Sequence, residues 1–449
     1  MLTDIDHGAL TILNRLESKG YQAYLVGGCV RDMIRGCQPH DWDICTSATP
    51  DEIRECFSGL KFVNNNGIKH GTVTVMLNGS AYEVTTFRID GEYTDGRRPN
   101  NVVFTARVED DLARRDFTIN AIACTSDMRI IDPFFGESDI KNGIIRCVGD
   151  PRVRFKEDGL RILRAIRFAS TMGFDIAPST SAILHKEYSV LENISNERIC
   201  AELSKLLVGV GAYKVIAEYV DVISYLIPEI SRSIGFQQNN PWHRYDVWEH
   251  TLSALQHTKP DLVLRLSILF HDIGKPRRYQ DDEYGVRHFV SHEEYSAAIA
   301  YNVLSRLRFD NKTINSVVPI IKHHDIEITP TNKRIKRLLN RYCEDMVYRL
   351  IDVQIADKTA QNRSSDDLYI KQLREAKQMV DDVINTKQCF SIKDLAVNGN
   401  DVMSYGVPKG KMVGQVLSYI LNAVLDGQVS NDKDEIKKFV FSTCVEIWR

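Results

Sequence analysis

Leu25-Val26-Gly27-Gly28-Cys29-Val30-Arg31-Asp32, followed after a short gap by Asp41-Trp42-Asp43, is the stretch on which the reading of this chain turns. A glycine pair leads from an apolar run into a helix, and two carboxylates spaced by one residue come after it. Gly27 and Gly28 carry no Cβ, so phosphate oxygens can approach their backbone N–H groups closely. In an extended strand the side chains alternate, which puts Asp41 and Asp43 on the same face. Two carboxylates there can bridge a pair of Mg²⁺ ions, one activating an attacking hydroxyl and one holding a triphosphate with its leaving group. Each half alone is weak, since Asp-x-Asp arises often by chance and Gly-Gly is usually a turn. In this order the two halves point to nucleotidyl transfer.

The rest of the composition bounds that reading. A chain of 449 residues, 43% of them hydrophobic, is expected to form more than one domain with well-filled cores. Its formal charge of −3 means that a polyanion must be met by a local basic surface and not by a global field. No apolar run is long enough to span a membrane and no signal peptide is evident, so a cytoplasmic protein without a membrane partner is expected. Ten cysteines without a Cys-x-x-Cys pair fit reduced thiols, not a disulfide framework or a thiolate zinc site.

Residues 1–150 mix helix and strand signals. Thr49-Pro50-Asp51-Glu52 combines an N-cap, a proline at the first helical position and a reaching glutamate, so a helix starts there. Residues 72–77 and 81–88 are β-rich runs around Asn78-Gly79, a strong hairpin signal. Glu83 on that hairpin can be a third metal-facing carboxylate or a solvated strand residue. From about 152 the chain turns almost wholly helical, with apolar residues at three- and four-residue spacing, as in Ile162, Ala165, Ile166 and Ala169. Gln237-Gln238-Asn239-Asn240-Pro241 reads as a linker. The expected divisions are 1–150, 151–236, 237–365 and 366–449.

These pieces, in this order, resemble the class II tRNA nucleotidyltransferases, the CCA-adding enzymes and their bacterial poly(A) polymerase cousins. The likeness covers roughly residues 20–210. It rests on Leu25–Asp32 with Asp41 and Asp43, on Glu83-Val84-Thr85-Thr86-Phe87-Arg88, and on Asp95-Gly96-Arg97-Arg98-Pro99. It continues through Arg114-Arg115-Asp116-Phe117-Thr118-Ile119-Asn120-Ala121, Asp132-Pro133, Glu157-Asp158-Gly159-Leu160-Arg161 and Glu197-Arg198-Ile199. The resemblance implies an α+β protein: a polymerase-β-like nucleotidyltransferase head with a mixed sheet over 1–150, an all-α neck over 151–236, a helical body and a helical tail over 366–449. It implies catalysis with Mg²⁺ on Asp41, Asp43 and Glu83. Nucleotide binding falls to Gly27, Gly28, Arg31, Arg114, Asp116, Asn120, Asp158, Arg161, Arg164 and Arg167. The expected partners are the tRNA 3′ end, CTP and ATP. The 95–99 stretch matches the loop that goes with adding A.

The residues themselves agree. Arg114 and Arg115 form a guanidinium pair that can clamp phosphate or ribose oxygens, or else a surface ion-pair cluster. Arg152, Arg154, Lys156, Arg161, Arg164 and Arg167 can make a basic stripe for phosphates, or a solvated helix face. Asp158 and Arg161 stand three apart on an expected helix, where both can face an incoming base or simply pair with each other. Cytosine and adenine share an amino donor beside a ring nitrogen acceptor, which a carboxylate and a guanidinium can match.

A second site is expected in the C-terminal half. Eight of the twelve histidines fall between His243 and His324. Among them is His271-Asp272-Ile273-Gly274-Lys275-Pro276, with His250 upstream and His292, His323-His324 and Asp357 downstream. This arrangement resembles the HD superfamily of metal-dependent phosphohydrolases, over 237–365. The resemblance implies His250, His271, Asp272 and Asp357 as ligands of a divalent metal, with His292 and His323 (or its neighbour His324) accessory. Imidazole and carboxylate donors suit several divalent ions, and sequence does not choose among them.

Three readings compete with CCA addition: an A-adding tRNA enzyme, a poly(A) polymerase, and, from a different class, an HD phosphohydrolase whose N-terminal half binds RNA. The acidic net charge and the want of a basic tail weigh against a poly(A) polymerase. The two front carboxylates weigh against the third reading.

Overall fold

A computed structural model describes residues 4–59, 62–63, 71–91, 102–361 and 366–444. The stretch 95–99, expected to be the loop that goes with A addition, lies outside them. The chain folds as two compact units, 1–228 and 229–449.

The first unit is built on a seven-stranded mixed sheet. Its strands are β1 (Ala23–Val26), β2 (Asp43–Thr46), β3 (Phe62–Val63), β4 (Thr72–Leu77), β5 (Ser80–Thr86), then, past a separate ribbon of β6 (Arg88–Asp90) and β7 (Val102–Phe104), β8 (Ala123–Cys124) and β9 (Ile130–Ile131). Their spatial order is β3-β4-β5-β2-β1-β8-β9. Only the central β2–β5 pair is parallel. Ile44, Cys45 and Thr46 are all buried, as a strand covered on both faces requires.

Local chemistry fixes the pieces around the sheet. The helix His7–Ser18 presents Ala9, Ile12, Leu13 and Leu16 inward at three- and four-residue spacing. Its N-cap Asp6 accepts from the N–H groups of Gly8 and Ala9 and also from the Tyr82 hydroxyl at 2.6 Å, which ties the helix to β5. The helix Pro50–Cys56 opens with the full capping box that its sequence announces. Asn78 and Gly79 both take positive φ, 52° and 86°, and close the β4–β5 hairpin as a two-residue turn with Leu77 opposite Ser80.

Helices follow the sheet, as expected. The helix Leu160–Met172 buries Ile162, Ala165, Ile166 and Ala169. Two short pairings interrupt the helical part, Ile144–Ile145 with Asp175–Ile176 and Gln280–Asp281 with Arg287–His288. In the second unit, helices including Val247–Gln256, Leu262–Phe270, His292–Arg306, Asn311–Lys322 and Glu344–Ala360 precede a last group whose core joins Val416, Ile420, Leu421, Ile436 and Val440. No helix among the described residues is long and apolar enough to cross a membrane.

Candidate active site

Strand pairing assembles the first site. β1 runs antiparallel to β2 and β5 runs parallel to it, with Asp43 in register with Glu83. The turn after β1, the start of β2 and the middle of β5 therefore meet. Gly27 has φ 80°, and a Cβ built on it would lie 3.0 Å from Arg115 Nη1 and 3.9 Å from Asp43 Oδ2. Bare backbone thus faces a carboxylate and a guanidinium. Strand β2 begins at Asp43, so Asp41 stands outside it and strand alternation does not account for its position. Asp41 nevertheless belongs to the cluster by charge. Burial pushes the Asp43 carboxyl above its ordinary range, Glu83 and Asp41 add to the rise, and Arg115 offsets it only in part. Exposed Glu83 is in register with Asp43 and within reach of its charge, as a third carboxylate of one site would be. Asp43 with the charges of Asp41 and Glu83 acting on it, against the one guanidinium of Arg115, leaves an excess of negative charge that suits a divalent cation.

The arginines divide differently from the expectation. Arg114 donates through Nε and Nη2 to Asp111 Oδ1 at 2.9 and 2.8 Å, and Arg115 donates to Asp111 Oδ2 at 3.1 Å. Asp111 is fully buried; burial alone would raise its carboxyl, but Arg115 and Arg114 hold it below its ordinary range. Arg115, not Arg114, is the one beside Gly27 and Asp43, and its buried Nε makes no hydrogen bond among the described residues.

Five of the expected nucleotide ligands form one connected network. Arg31 donates to Asn120 Oδ1 at 2.8 Å, Asn120 to Asp116 Oδ1 at 3.1 Å, and Arg164 to Asp116 Oδ2 at 2.8 Å. Arg164 lies 3.9 Å from Glu202, which accepts from Arg167 at 2.8 Å. The guanidinium carbons of Arg31, Arg164 and Arg167 stand 5.3, 5.4 and 3.5 Å from the ring centre of Phe168. Burial opposes the charge on Asp116, yet Arg164 and Asn120 bring its carboxyl down to about 2. Four of the six residues of the expected basic stripe are therefore tied to carboxylates, while Arg152 and Lys156 are exposed. Arg154 and Arg161 share Glu157, and Arg164 and Arg167 share Glu202.

Asp158 and Arg161 do not lie on one helix. Gly159 separates Pro151–Glu157 from Leu160–Met172, and Asp158 at the break is extended, with φ −143° and ψ 104°. Asp158 accepts from Arg198 at 2.9 Å and from the Leu160 N–H at 3.1 Å. Buried Arg161 donates to Glu157 at 2.5 Å and to the carbonyls of Arg154 and Arg114 at 3.2 and 3.0 Å. Among the described residues Asp158 pairs with Arg198 and Arg161 with Glu157, in place of the simple ion pair between the two.

In the second unit, His250, His271, Asp272, His292, His324 and Asp357 are all buried. His271, His292 and His324 each direct Nδ1 at a backbone carbonyl, of Ile268, Phe289 and Ile321, at 2.7, 2.9 and 2.7 Å. A carbonyl only accepts, so each Nδ1 carries the proton and each Nε2 presents its lone pair, as in metal-binding imidazoles. Buried Nε2 of His271 and of His292 makes no hydrogen bond among the described residues. Burial would lower the His271 imidazole, but Asp272 and Asp357 outweigh it and hold it up at about 10, so its Nε2 lone pair takes up positive charge, either a second proton or a cation in the proton's place. The cluster opens on a cavity of about 250 Å³ also lined by Lys275, Arg287 and Lys358.

His323 does not belong to this cluster. It lies past the end of the helix Asn311–Lys322 with its ring 5.1 Å from that of Tyr342, while His324 turns inward. Sequence reading also passed over Asp325, whose oxygens approach His292 and His324 at 3.5 and 3.6 Å. Its adjacency to the histidine pair was the available signal.

The profile of the poly A polymerase head domain matches residues 23–146, that of the probable RNA and SrmB-binding site of polymerase A matches 173–233, and that of the putative tRNA nucleotidyltransferase domain 2 matches 279–440. The CCA-adding enzyme of Leuconostoc citreum is 35% identical over 96% of this chain and 94% of its own length. That of Oceanobacillus iheyensis is 33% identical over 96% of each. The crystal structure of Bacillus stearothermophilus CCA-adding enzyme in complex with CTP superposes with a TM-score of 0.66 at 30% identity, covering 97% of this chain and 96% of that one. With a polymerase-β-like head and relatives of this identity along nearly its whole length, the chain belongs to the CCA-adding enzyme family of tRNA nucleotidyltransferases.

Proposed function

We propose that this enzyme adds C, C and A to the 3′ end of tRNA in the cytoplasm, without a nucleic-acid template, from CTP and ATP. The observation that carries the reading is the meeting of Asp41, Asp43 and Glu83 with the bare Gly27 turn and Arg115. Asp41, Asp43 and Glu83 would hold Mg²⁺, which supplies activation of the attacking hydroxyl and charge neutralisation on the triphosphate. Gly27 and Gly28 leave room for phosphate oxygens against the backbone, and Arg115 offers a guanidinium to them. Arg31, Asn120, Asp116, Arg164 and Arg167 act as a linked scaffold that fixes the floor of the nucleotide site. Asp158, held by Arg198, and Arg161, held by Glu157, read the base. The CTP complex of a relative 30% identical supports a nucleotide in this head.

The test is incubation with tRNA ending at the discriminator base, with CTP and ATP separately and together. CCA addition gives two added residues with CTP alone and three with both. An A-adding enzyme leaves that substrate unextended with CTP alone, and a poly(A) polymerase makes long tails from ATP.

A second reading is favoured by the buried histidine–aspartate cluster. His250, His271, Asp272 and Asp357 bind a divalent ion, and the site hydrolyses phosphoesters, with water adding to phosphorus as the P–O ester bond breaks and the released alcohol takes a proton. The lone pairs of His271 and His292 Nε2, buried without hydrogen bonds, carry this reading. Release of phosphate from nucleotides and from phosphorylated RNA ends, before and after chelation, tests it. The chain then divides into head 1–150, neck 151–236, hydrolase domain 237–365 and tail 366–449.

A further inference from the structure

The helix Asn332–Arg341 gathers positive charge on one side. Arg334, Arg337 and Arg341 follow at spacings of three and four, which stacks them along one face, while Ile335 and Leu339 are buried. Together with Ile326, Leu338, Asn340 and Tyr342 they line a recess of about 350 Å³. Among the described residues no carboxylate lines it, in a chain whose formal charge is −3. Two of the guanidiniums are fixed by acceptors outside the recess. Arg334 donates through Nε at 2.9 Å and through Nη2 to the Glu327 carbonyl. Arg337 donates through the same two nitrogens to Asp426 Oδ1 at 3.1 and 2.6 Å. Among the described residues neither Nη1 makes a hydrogen bond. Exposed Arg341 stands with its guanidinium carbon 5.3 Å from the ring centre of Tyr342. Tyr342 is buried, and its hydroxyl makes no hydrogen bond among the described residues. Asn340 gives an amide N–H to the Phe390 carbonyl at 2.9 Å, which leaves its Oδ1 as an acceptor.

We propose that this recess binds a phosphorylated small molecule of about mononucleotide size, at a site that shares no residue with the carboxylate or the histidine cluster. Like charges gathered on one helix face repel each other, and a buried hydroxyl without a partner is costly. An anion in the recess relieves both. Guanidiniums already held by Nε and Nη2 are preorganised to take phosphate oxygens through what remains. The Tyr342 hydroxyl donates to the ligand, Asn340 Oδ1 accepts from a sugar hydroxyl, and Ile326 and Leu338 meet its apolar surface. The volume lies at the lower end of small-molecule pockets, and inorganic phosphate fills only part of it. An RNA strand laid along the helix would reach exposed Arg341 but has no use for the buried hydroxyl or the apolar walls.

The experiment uses the full chain with a chelator present, so that binding which needs a divalent ion is silent. AMP is the probe, compared with inorganic phosphate and with tRNA. Arginine modification by phenylglyoxal, read peptide by peptide in the mass spectrometer, reports on each guanidinium separately. AMP should protect Arg337 and Arg341, and titration calorimetry should show a binding step that is weaker for inorganic phosphate. Arg341→Gln should weaken the AMP step about tenfold and Tyr342→Phe severalfold, because one loses a charged donor and the other a neutral one. Both variants should keep their circular dichroism and the parent's KM for tRNA in nucleotide addition. Absence of any AMP protection at Arg341 would overturn the proposal. Protection by tRNA alone, with a raised KM for tRNA in Arg341→Gln, would overturn it in favour of an RNA contact. Inorganic phosphate binding as tightly as AMP, with Tyr342→Phe without effect, would overturn the assignment of a mononucleotide-sized ligand.

Discussion

Asp43 stands at the centre of the head's carboxylate cluster. It is in register with Glu83, feels Asp41, and stands beside the Gly27 turn and Arg115. Asp41→Ala or Asp43→Ala should abolish nucleotide addition while the fold and tRNA binding persist, as measured by incorporation at saturating Mg²⁺ alongside a filter-binding assay. Substantial residual incorporation would show that the cluster is not catalytic. The proposed base-reading pair makes a separate prediction. Asp158→Ala and Arg161→Ala should slow CTP and ATP use and admit UTP and GTP. Buried polar groups left unpaired by a wrong base account for about 1–3 kcal/mol each of the lost discrimination. Rates with all four nucleotides at wild-type ratios would remove both residues from that role. Arg198→Ala should weaken selection in the same direction, since it frees Asp158 to move.

The hairpin and the inter-helix network decide whether those side chains arrive together. The β4–β5 turn sets the register of those two strands, with Thr74 opposite Glu83, while the parallel β2–β5 pairing puts Glu83 opposite Asp43, and a slip of one residue would send Glu83 to the other face. Gly79 has φ 86° and open space where a Cβ would stand, so Gly79→Ala introduces backbone strain without a clash. It should destabilise the protein by about 1–2 kcal/mol in denaturant titration, with incorporation by the folded fraction unchanged. The network centred on Asp116 predicts an acid response. Its folded carboxyl is lowered from 3.8 to about 2, so its contribution is present above the higher value and is lost as pH falls through the lower one. That contribution is on the order of 2 kcal/mol for this buried group. Asp116→Asn should lower stability at neutral pH and flatten the dependence of unfolding free energy on pH below about 4. An unaltered slope would mean that Arg164 does not hold the carboxylate.

The two sites lie in different compact units, the carboxylate cluster within 1–228 and the histidine cluster within 229–449. His271→Ala should therefore remove metal-dependent phosphohydrolase activity and leave CCA addition largely unchanged, when both activities are measured on the same folded preparation. Parallel loss of nucleotide addition would mean that the functions are not divided in this way.

Short-range physics was legible in the chain. The Thr49 capping box, the Asn78-Gly79 turn and the apolar face of 162–169 appear where the sequence puts them, because each depends on residues within one turn or one hairpin. The ordered motifs from Gly27 to Arg198 also disclosed the family, since chemistry at fixed spacing needs no tertiary information to be recognised. Long-range choices were not legible. Arg115 instead of Arg114 faces the carboxylates because buried Asp111, clasping both, orients them differently. Asp158 leaves the helix because the chain breaks at Gly159, where Val190 packs within 3.0 Å of a Cβ position and Arg198 waits forty residues away. His324 turns inward and His323 outward because the helix before them ends at Lys322, so helical spacing no longer says which ring meets Asp272. Residue types and their order were enough to name the family, while packing between distant segments decided which side chains meet.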